Sequence, residues 1–173
     1  MTPKQQDGKV VIFLDIDGVL LPFNSSNQSS CGSLFPDRVL EIFSSILEAV
    51  PEAEIVLSST WRAQQSMVRD ILDSFRAYSY TFGGPLEKVT EFYDLVDPNY
   101  HSERQYEIHS WLKKHGDTLR AWVALDDEEL LEGKSNAKLR HIFEGHAVLT
   151  DSHTGLTQEN ADQAIELLRR QMN

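Results

Sequence analysis

The chain has 173 residues, of which 40% are hydrophobic and 25% charged, and a formal net charge of −11. That length allows one sizeable core and is short for two domains, while the acidic balance argues against a broad basic surface for nucleic acid. No apolar run approaches the ~20 residues of a membrane helix, and the first residues are too polar for a signal peptide, so a cytoplasmic setting is expected.

Residues 1–8 read as a polar tail. Val10-Val11-Ile12-Phe13-Leu14 then has the length and β-branched content of a strand buried on both faces. It runs into Asp15-Ile16-Asp17-Gly18, two acids at i, i+2 that strand periodicity puts on one side, and a glycine that lets the backbone turn away. Residues 21–33 are Ser/Asn-rich and predict a loop. That loop holds Cys31, the only cysteine, so no internal disulfide forms, in keeping with a reducing compartment. Asp37 is expected to cap a helix with Val39, Leu40, Ile42, Phe43, Ile46, Leu47 and Val50 at helical spacing, and Pro51 marks its end. A second buried strand, 54–57, leads into Ser58-Ser59-Thr60-Trp61-Arg62. A helix follows through Met67, Val68, Ile71, Leu72 and Phe75. Residues 78–102 read as loop, with one short helix near 87–92. A helix over 103–114 turns Ile108, Trp111 and Leu112 inward. The third strand, 121–125, ends in Asp126-Asp127-Glu128-Glu129, and the fourth, 146–150, ends at Asp151. Thr157 caps a last helix over 158–170, with Ala161, Ala164, Ile165, Leu167 and Leu168 on its inner face.

Short apolar strands alternating with amphipathic helices predict an α/β fold, a Rossmann-like three-layer sandwich around a mostly parallel sheet, in a single domain over 1–173. Sites in such sheets lie at the carboxyl ends of the strands. Here those ends carry Asp15 and Asp17, Ser58 and Ser59, Asp126 and Asp127, and Asp151. Taken alone, Asp-x-Asp-Gly and the serine pair each fit a turn closing a strand, and the acids from Asp126 fit a helix N-terminus. Four polar strand ends on one edge favour a site. Burying an unpaired carboxylate costs roughly several kcal/mol, and two acids there suit a hard divalent cation, with one carboxylate left for proton transfer. The six histidines show no zinc-ligand spacing.

The order of these motifs resembles the haloacid dehalogenase-like superfamily of phosphohydrolases. Asp15-Ile16-Asp17-Gly18 is similar to its first motif, Ser58 in Val56-Leu57-Ser58-Ser59 to its second, and Leu125-Asp126-Asp127 to its fourth. Arg104 matches the single basic residue of the third, with Lys88 in reserve. Leu57 to Arg62, Glu107-Ile108-His109-Ser110-Trp111-Leu112, and Thr150-Asp151 with Gly155-Leu156-Thr157 narrow the resemblance to the phosphatase-like domain of Swiss Army Knife RNA repair proteins. The resemblance implies that Asp15 is a nucleophile that becomes phosphorylated and that Asp17 is acid and base. It implies Ser58 and Arg104 around the phosphoryl group, and Mg²⁺ held by Asp15, Asp17, Asp126 and Asp127. Gly18, Ser59 and Arg62 are the expected substrate-side residues, and Trp61 either lines the rim or packs.

An acid two residues after the nucleophile implies a phosphatase or phosphotransferase rather than a dehalogenase or an ion pump; hydrolysis is the reading adopted. Residues 21–36 and 78–102, where relatives carry cap domains, are too short for a large folded lid. An open cleft admits the end of a large substrate, and Arg62, Arg69, Arg76, Lys88 and Arg104 lie in the nearest segments as a local basic rim. The expected substrate is a terminal phosphate on RNA or another polynucleotide. A small phosphorylated metabolite, transfer to an acceptor, and a catalytically silent binding relative are the alternatives.

Overall fold

β1 (Lys9–Leu14) takes the centre of the sheet because both of its faces are apolar: residues 10–14 are at most 2% exposed. In the computed structural model, which describes residues 8–24, 28–98, 103–131 and 138–173, β2 (Ala53–Leu57) and β4 (Leu119–Asp126) pair with it on either side. β3 (Asp94–Leu95) and β5 (Ala147–Leu149) form the edges. The order is β3-β2-β1-β4-β5, and every pairing is parallel.

The period of two along the strands divides the core between the two faces. Val10, Ile12 and Leu14 belong to one cluster with Ile42 and Ile46 of α1 (Asp37–Ala49), Phe75 of α2 (Gln65–Phe82) and Ala164 of α5 (Gln158–Met172). Val11 and Phe13 belong to the other, with Ile108 and Trp111 of α3 (Arg104–His115) and Phe143 of α4 (Arg140–Phe143). Each large side chain buried this fully contributes roughly 1.5–3 kcal/mol. The architecture is the expected Rossmann-like three-layer sandwich, with a wholly parallel sheet and no large cap among the described residues. No described helix is long and apolar enough to cross a membrane.

Several local expectations are corrected. Pro36, not Asp37, caps α1: its carbonyl accepts from Val39 and Leu40 N–H. Asp37 is the first helical residue, where a carboxylate complements the helix dipole, and it also accepts from Ser30 N–H at 2.9 Å. α2 does not stop near residue 78. Tyr78 and Ser79 are buried, and the helix runs on to Gly83, whose φ of 73° supplies the left-handed residue that ends it. The short helix expected near 87–92 is a 3-10 turn at Pro85–Lys88. β3 follows it, and α4 precedes β5; neither was expected. Thr157 does cap α5, through a reciprocal capping box with Asn160. Of the expected N-terminal tail only Gly8 is described, and residues 25–27 and 99–102 of the two expected inserts lie outside the described residues.

Candidate active site

The C-terminal ends of β2, β1 and β4 lie side by side because the ladder continues past their last paired residues. Asp15 N–H donates to Leu125 O and Ser58 N–H to Leu14 O, both at 3.0 Å. Asp126 ends β4, and its Oδ1 accepts from Glu128 N–H at 3.0 Å. One oxygen each from Asp15, Asp126 and Asp127 lies within 4.8 Å of the others. Asp127 comes this close because Gly18 has no side chain: a Cβ there would lie 2.2 Å from Asp127 Oδ2. No helix follows Asp127 directly, so these acids are not a helix N-terminus. Arg104, the first residue of α3, is buried and aims its guanidinium between them. Its nitrogens lie 3.6 Å from Asp15 Oδ1, 3.6 Å from Asp126 Oδ2 and 3.7 Å from Glu128 Oε1.

One guanidinium does not balance these carboxylates. Burial pushes Asp15 up to about 6, against the Arg104 charge, the Ile16 N–H and the Ser59 hydroxyl. Burial also holds Asp126 well above the usual carboxylate range; Arg104 opposes the shift and Asp15 adds to it. Burial alone would lower Arg104, but Asp126, Asp15 and Glu128 together raise it, so it stays charged. Three buried polar atoms of these residues have no hydrogen-bond partner: Asp126 Oδ2, Ser58 Oγ and Arg104 Nη1. Native interiors rarely leave such atoms unmatched without a reason. A buried carboxylate oxygen that accepts no hydrogen bond, in an all-oxygen set, fits a hard divalent cation. The serine hydroxyl and the guanidinium N–H are donors suited to an anionic oxygen.

A comparison with sequence families matched the HAD domain in Swiss Army Knife RNA repair proteins over residues 11–161. The chain belongs to this family. Comparisons with curated proteins and with solved structures gave no match. The match spans every residue of the cleft, and a HAD domain of this kind is a phosphohydrolase in general terms.

The HAD fold brings Asp15, Ser58, Arg104, Asp126 and Asp127 together. It places other expected residues differently. The Asp17 carboxylate is not among the three converging acids; its Oδ2 accepts from Trp61 Nε1 at 3.0 Å. The Ser59 hydroxyl bonds Asp15 and accepts from Trp61 N–H at 3.3 Å, so it orients an acid and closes the 3-10 turn Thr60–Ala63. Arg62 turns inward instead of lining the substrate side. Its Nε donates to Val96 O at 2.6 Å, its Nη1 to Ser58 O and Ser59 O at 2.7 Å each, and its Nη2 pairs with Glu107 Oε2 at 2.8 Å. Lys88 is exposed beside Ala53 and Glu54, at the opposite end of β2, so of the two basic candidates only Arg104 reaches the acids.

Most of the expected basic rim is placed elsewhere, and Arg69 is exposed on α2. Arg62 and Arg104 are internal, Lys88 is at the wrong end, and Arg76 pairs with Asp73 at 2.8 Å. Asp151 caps a turn by accepting from His153 and Thr154 N–H, outside the acid cluster. Sequence reasoning missed the Trp61–Asp17 bond, the Arg62–Glu107 pair and Thr150, whose hydroxyl donates to Gly18 O at 2.7 Å. All three join distant parts of the chain, and the only local signal was that Trp61 and Arg62 follow the serine pair directly.

Proposed function

We propose that this HAD domain is a Mg²⁺-dependent phosphohydrolase working through an aspartyl-phosphate on Asp15. The observation that carries this reading is the set of buried atoms left without a hydrogen bond on residues gathered at the strand ends: Asp126 Oδ2 on the acid side, Ser58 Oγ and Arg104 Nη1 on the donor side. Asp15, Asp126 and Asp127 would hold the cation, which when bound offsets their charge and polarises the phosphoryl group. An Asp15 oxygen attacks phosphorus, the bond from phosphorus to the substrate's alcohol oxygen breaks, and Asp17 gives that oxygen its proton. The Ser58 hydroxyl and the Arg104 guanidinium stabilise charge on the equatorial oxygens. Asp17 then takes a proton from water, the water oxygen attacks the acyl phosphate at phosphorus, and inorganic phosphate leaves with Asp15 restored.

In this reading the substrate is a terminal phosphate of RNA. The family's association with RNA repair supports it, as does the short chain available above the cleft, which leaves room for a polymer end. The dispersed basic side chains and the net charge of −11 favour a second reading, a small phosphomonoester. The test is phosphate release from a 3′- or 5′-phosphorylated oligoribonucleotide and from the matching mononucleotide, with Mg²⁺ or a chelator and with Asp15→Asn as control. Release should need the metal, disappear in Asp15→Asn, and show the higher kcat/KM on the oligomer. Turnover in chelator, or by Asp15→Asn, would sink the mechanism. Equal efficiency on both substrates would give the second reading the stronger case.

A further inference from the structure

We propose that Trp61 is a positioning residue for Asp17, its indole N–H deciding which carboxylate oxygen faces the leaving group. The inference rests on the phosphohydrolase reading above and extends it to a residue that touches none of the reacting atoms.

The geometry starts at the end of β2. Ser59 accepts from Trp61 N–H and so closes the 3-10 turn Thr60–Ala63. That turn sends the Trp61 side chain across the end of β1, where Nε1 donates to Asp17 Oδ2 at 3.0 Å over a sequence separation of 44. The ring is not free to swing. It lies 6.3 Å, centroid to centroid, from fully buried Phe35, and it packs against the core cluster of α1 and α2. The same turn begins beside Ser58 and is braced by Arg62 through the Ser58 and Ser59 carbonyls. Ser58, assigned above to the phosphoryl group, and the group that holds Asp17 are therefore parts of one stiff piece of chain.

The indole N–H donates and never accepts. A protonated carboxyl has one bare oxygen and one that carries the proton, and the bare oxygen is the stronger acceptor for an N–H. With Oδ2 turned to the indole, Oδ1 is the oxygen left to face the leaving group and to carry the proton that moves. It leaves Oδ1 for the departing alcohol oxygen as the bond to phosphorus breaks, and a proton from water returns to Oδ1 when the acyl phosphate is hydrolysed. Without the indole N–H the carboxyl is free to rotate about its last bond, and the proton is shared between orientations that do not all point at the leaving oxygen.

The test compares wild type, Trp61→Phe, Asp17→Asn and the double variant on two substrates. One is an alkyl phosphate, whose leaving oxygen needs a proton; the other is 4-nitrophenyl phosphate, whose leaving group departs without one. Trp61→Phe keeps an aromatic ring against Phe35 and removes the N–H together with the second ring of the indole. It should lower kcat on the alkyl phosphate by about tenfold to a hundredfold, a part of what a positioned acid contributes, with KM and Mg²⁺-dependent thermal stabilisation within about twofold of wild type. With the nitrophenyl ester the first burst of nitrophenolate should keep its rate while later turnovers slow, because hydrolysis of the acyl phosphate still needs Asp17. The double variant should be no slower than Asp17→Asn, since two residues acting as one unit do not add.

Equal slowing of both esters, burst included, or a loss that multiplies that of Asp17→Asn, would overturn this inference alone. Undiminished alkyl turnover by Asp17→Asn would overturn the acid–base assignment beneath it as well. Should Trp61→Phe fail to fold, the indole proton resonances of wild type and Asp17→Asn decide the matter. One of the three should move upfield when the Asp17 charge is removed, and three unmoved resonances would refute the contact.

Discussion

Asp15, before any cation binds, holds its proton unusually high because burial disfavours its charged form more than Arg104 restores it. A value of about 6 in the folded chain, against 3.8 as the ordinary value, means that the folded protein keeps a proton that the unfolded chain has released. The stability from that proton is complete below pH 3.8 and is lost as pH rises through about 6. A divalent cation competes for the same carboxylate, so its binding should strengthen with pH across the same window. Mg²⁺ should therefore raise Tm more at pH about 7.5 than at about 5. At ~100 times its Kd the cation adds ~2.7 kcal/mol, which for a chain of this size is roughly 5–10 °C. Calorimetry at the two pH values checks this, and an equal shift at both would place the cation elsewhere. Asp15→Asn should flatten the pH dependence and reduce phosphate release by ~10³-fold or more. The residue types of the cleft are legible in the sequence: Asp15, Ser58 and Asp126 each stand at the end of an apolar run. Side-chain direction is not. Arg62 and Trp61 directly follow the serine pair, yet one turns to buried carbonyls and Glu107 and the other to Asp17. Those directions are set by partners on other elements, which no local spacing reveals.

The turn Thr60–Ala63 and α3 act as one unit through the Arg62–Glu107 pair, whose side chains are 4% and 10% exposed. α3 carries Arg104 and the turn carries Ser58 on its flank, so the pair sets the spacing between two donors of the cleft. Removing one partner of a buried pair leaves the other charge uncompensated, which costs ~3–5 kcal/mol. Glu107→Leu should lose stability of that order in urea unfolding, and Arg62→Met with Glu107→Leu should recover most of it. A loss in the double variant as large as in the single would show that the carbonyl contacts of Arg62 dominate. Elements with a sustained period are the legible ones: α1 and α5 at helical spacing, β1 and β4 as unbroken apolar runs. β3 has only Asp94 and Leu95, too few for any period, and its place is set by backbone bonds from Tyr93 N–H to Ile55 O and Val96 N–H to Leu57 O. The end of α2 was misjudged for a different reason. Gly83-Gly84-Pro85 signals a loop, whereas buried Tyr78 continues the helical stripe up to that glycine stop.

At the scale of the whole molecule, a net charge of −11 repels a polyanion, and among the described residues most of the expected basic side chains are internal, paired or at the far end of β2. A protein that neutralises Z phosphates loses affinity with a log–log slope of about −0.9Z in salt. For this chain kcat/KM on a phosphorylated oligonucleotide should instead stay flat or rise between about 50 and 200 mM salt, as screening relieves the repulsion. A steep fall would reveal a basic track elsewhere on the surface. The parallel order of the sheet also has a consequence in time. β1 pairs with β2, forty-odd residues away, and with β4, more than a hundred away; Val10 alone faces both Ala53 and Ala121. At a synthesis rate of ~5–20 residues per second, the most apolar strand waits roughly 5–20 s for its second neighbour. In that interval one edge of β1 is open to chaperones or to mispairing, and Asp15 has neither Arg104 nor Asp126 beside it. The charge cluster, whose Asp126 ends β4, is therefore complete only once β4 docks.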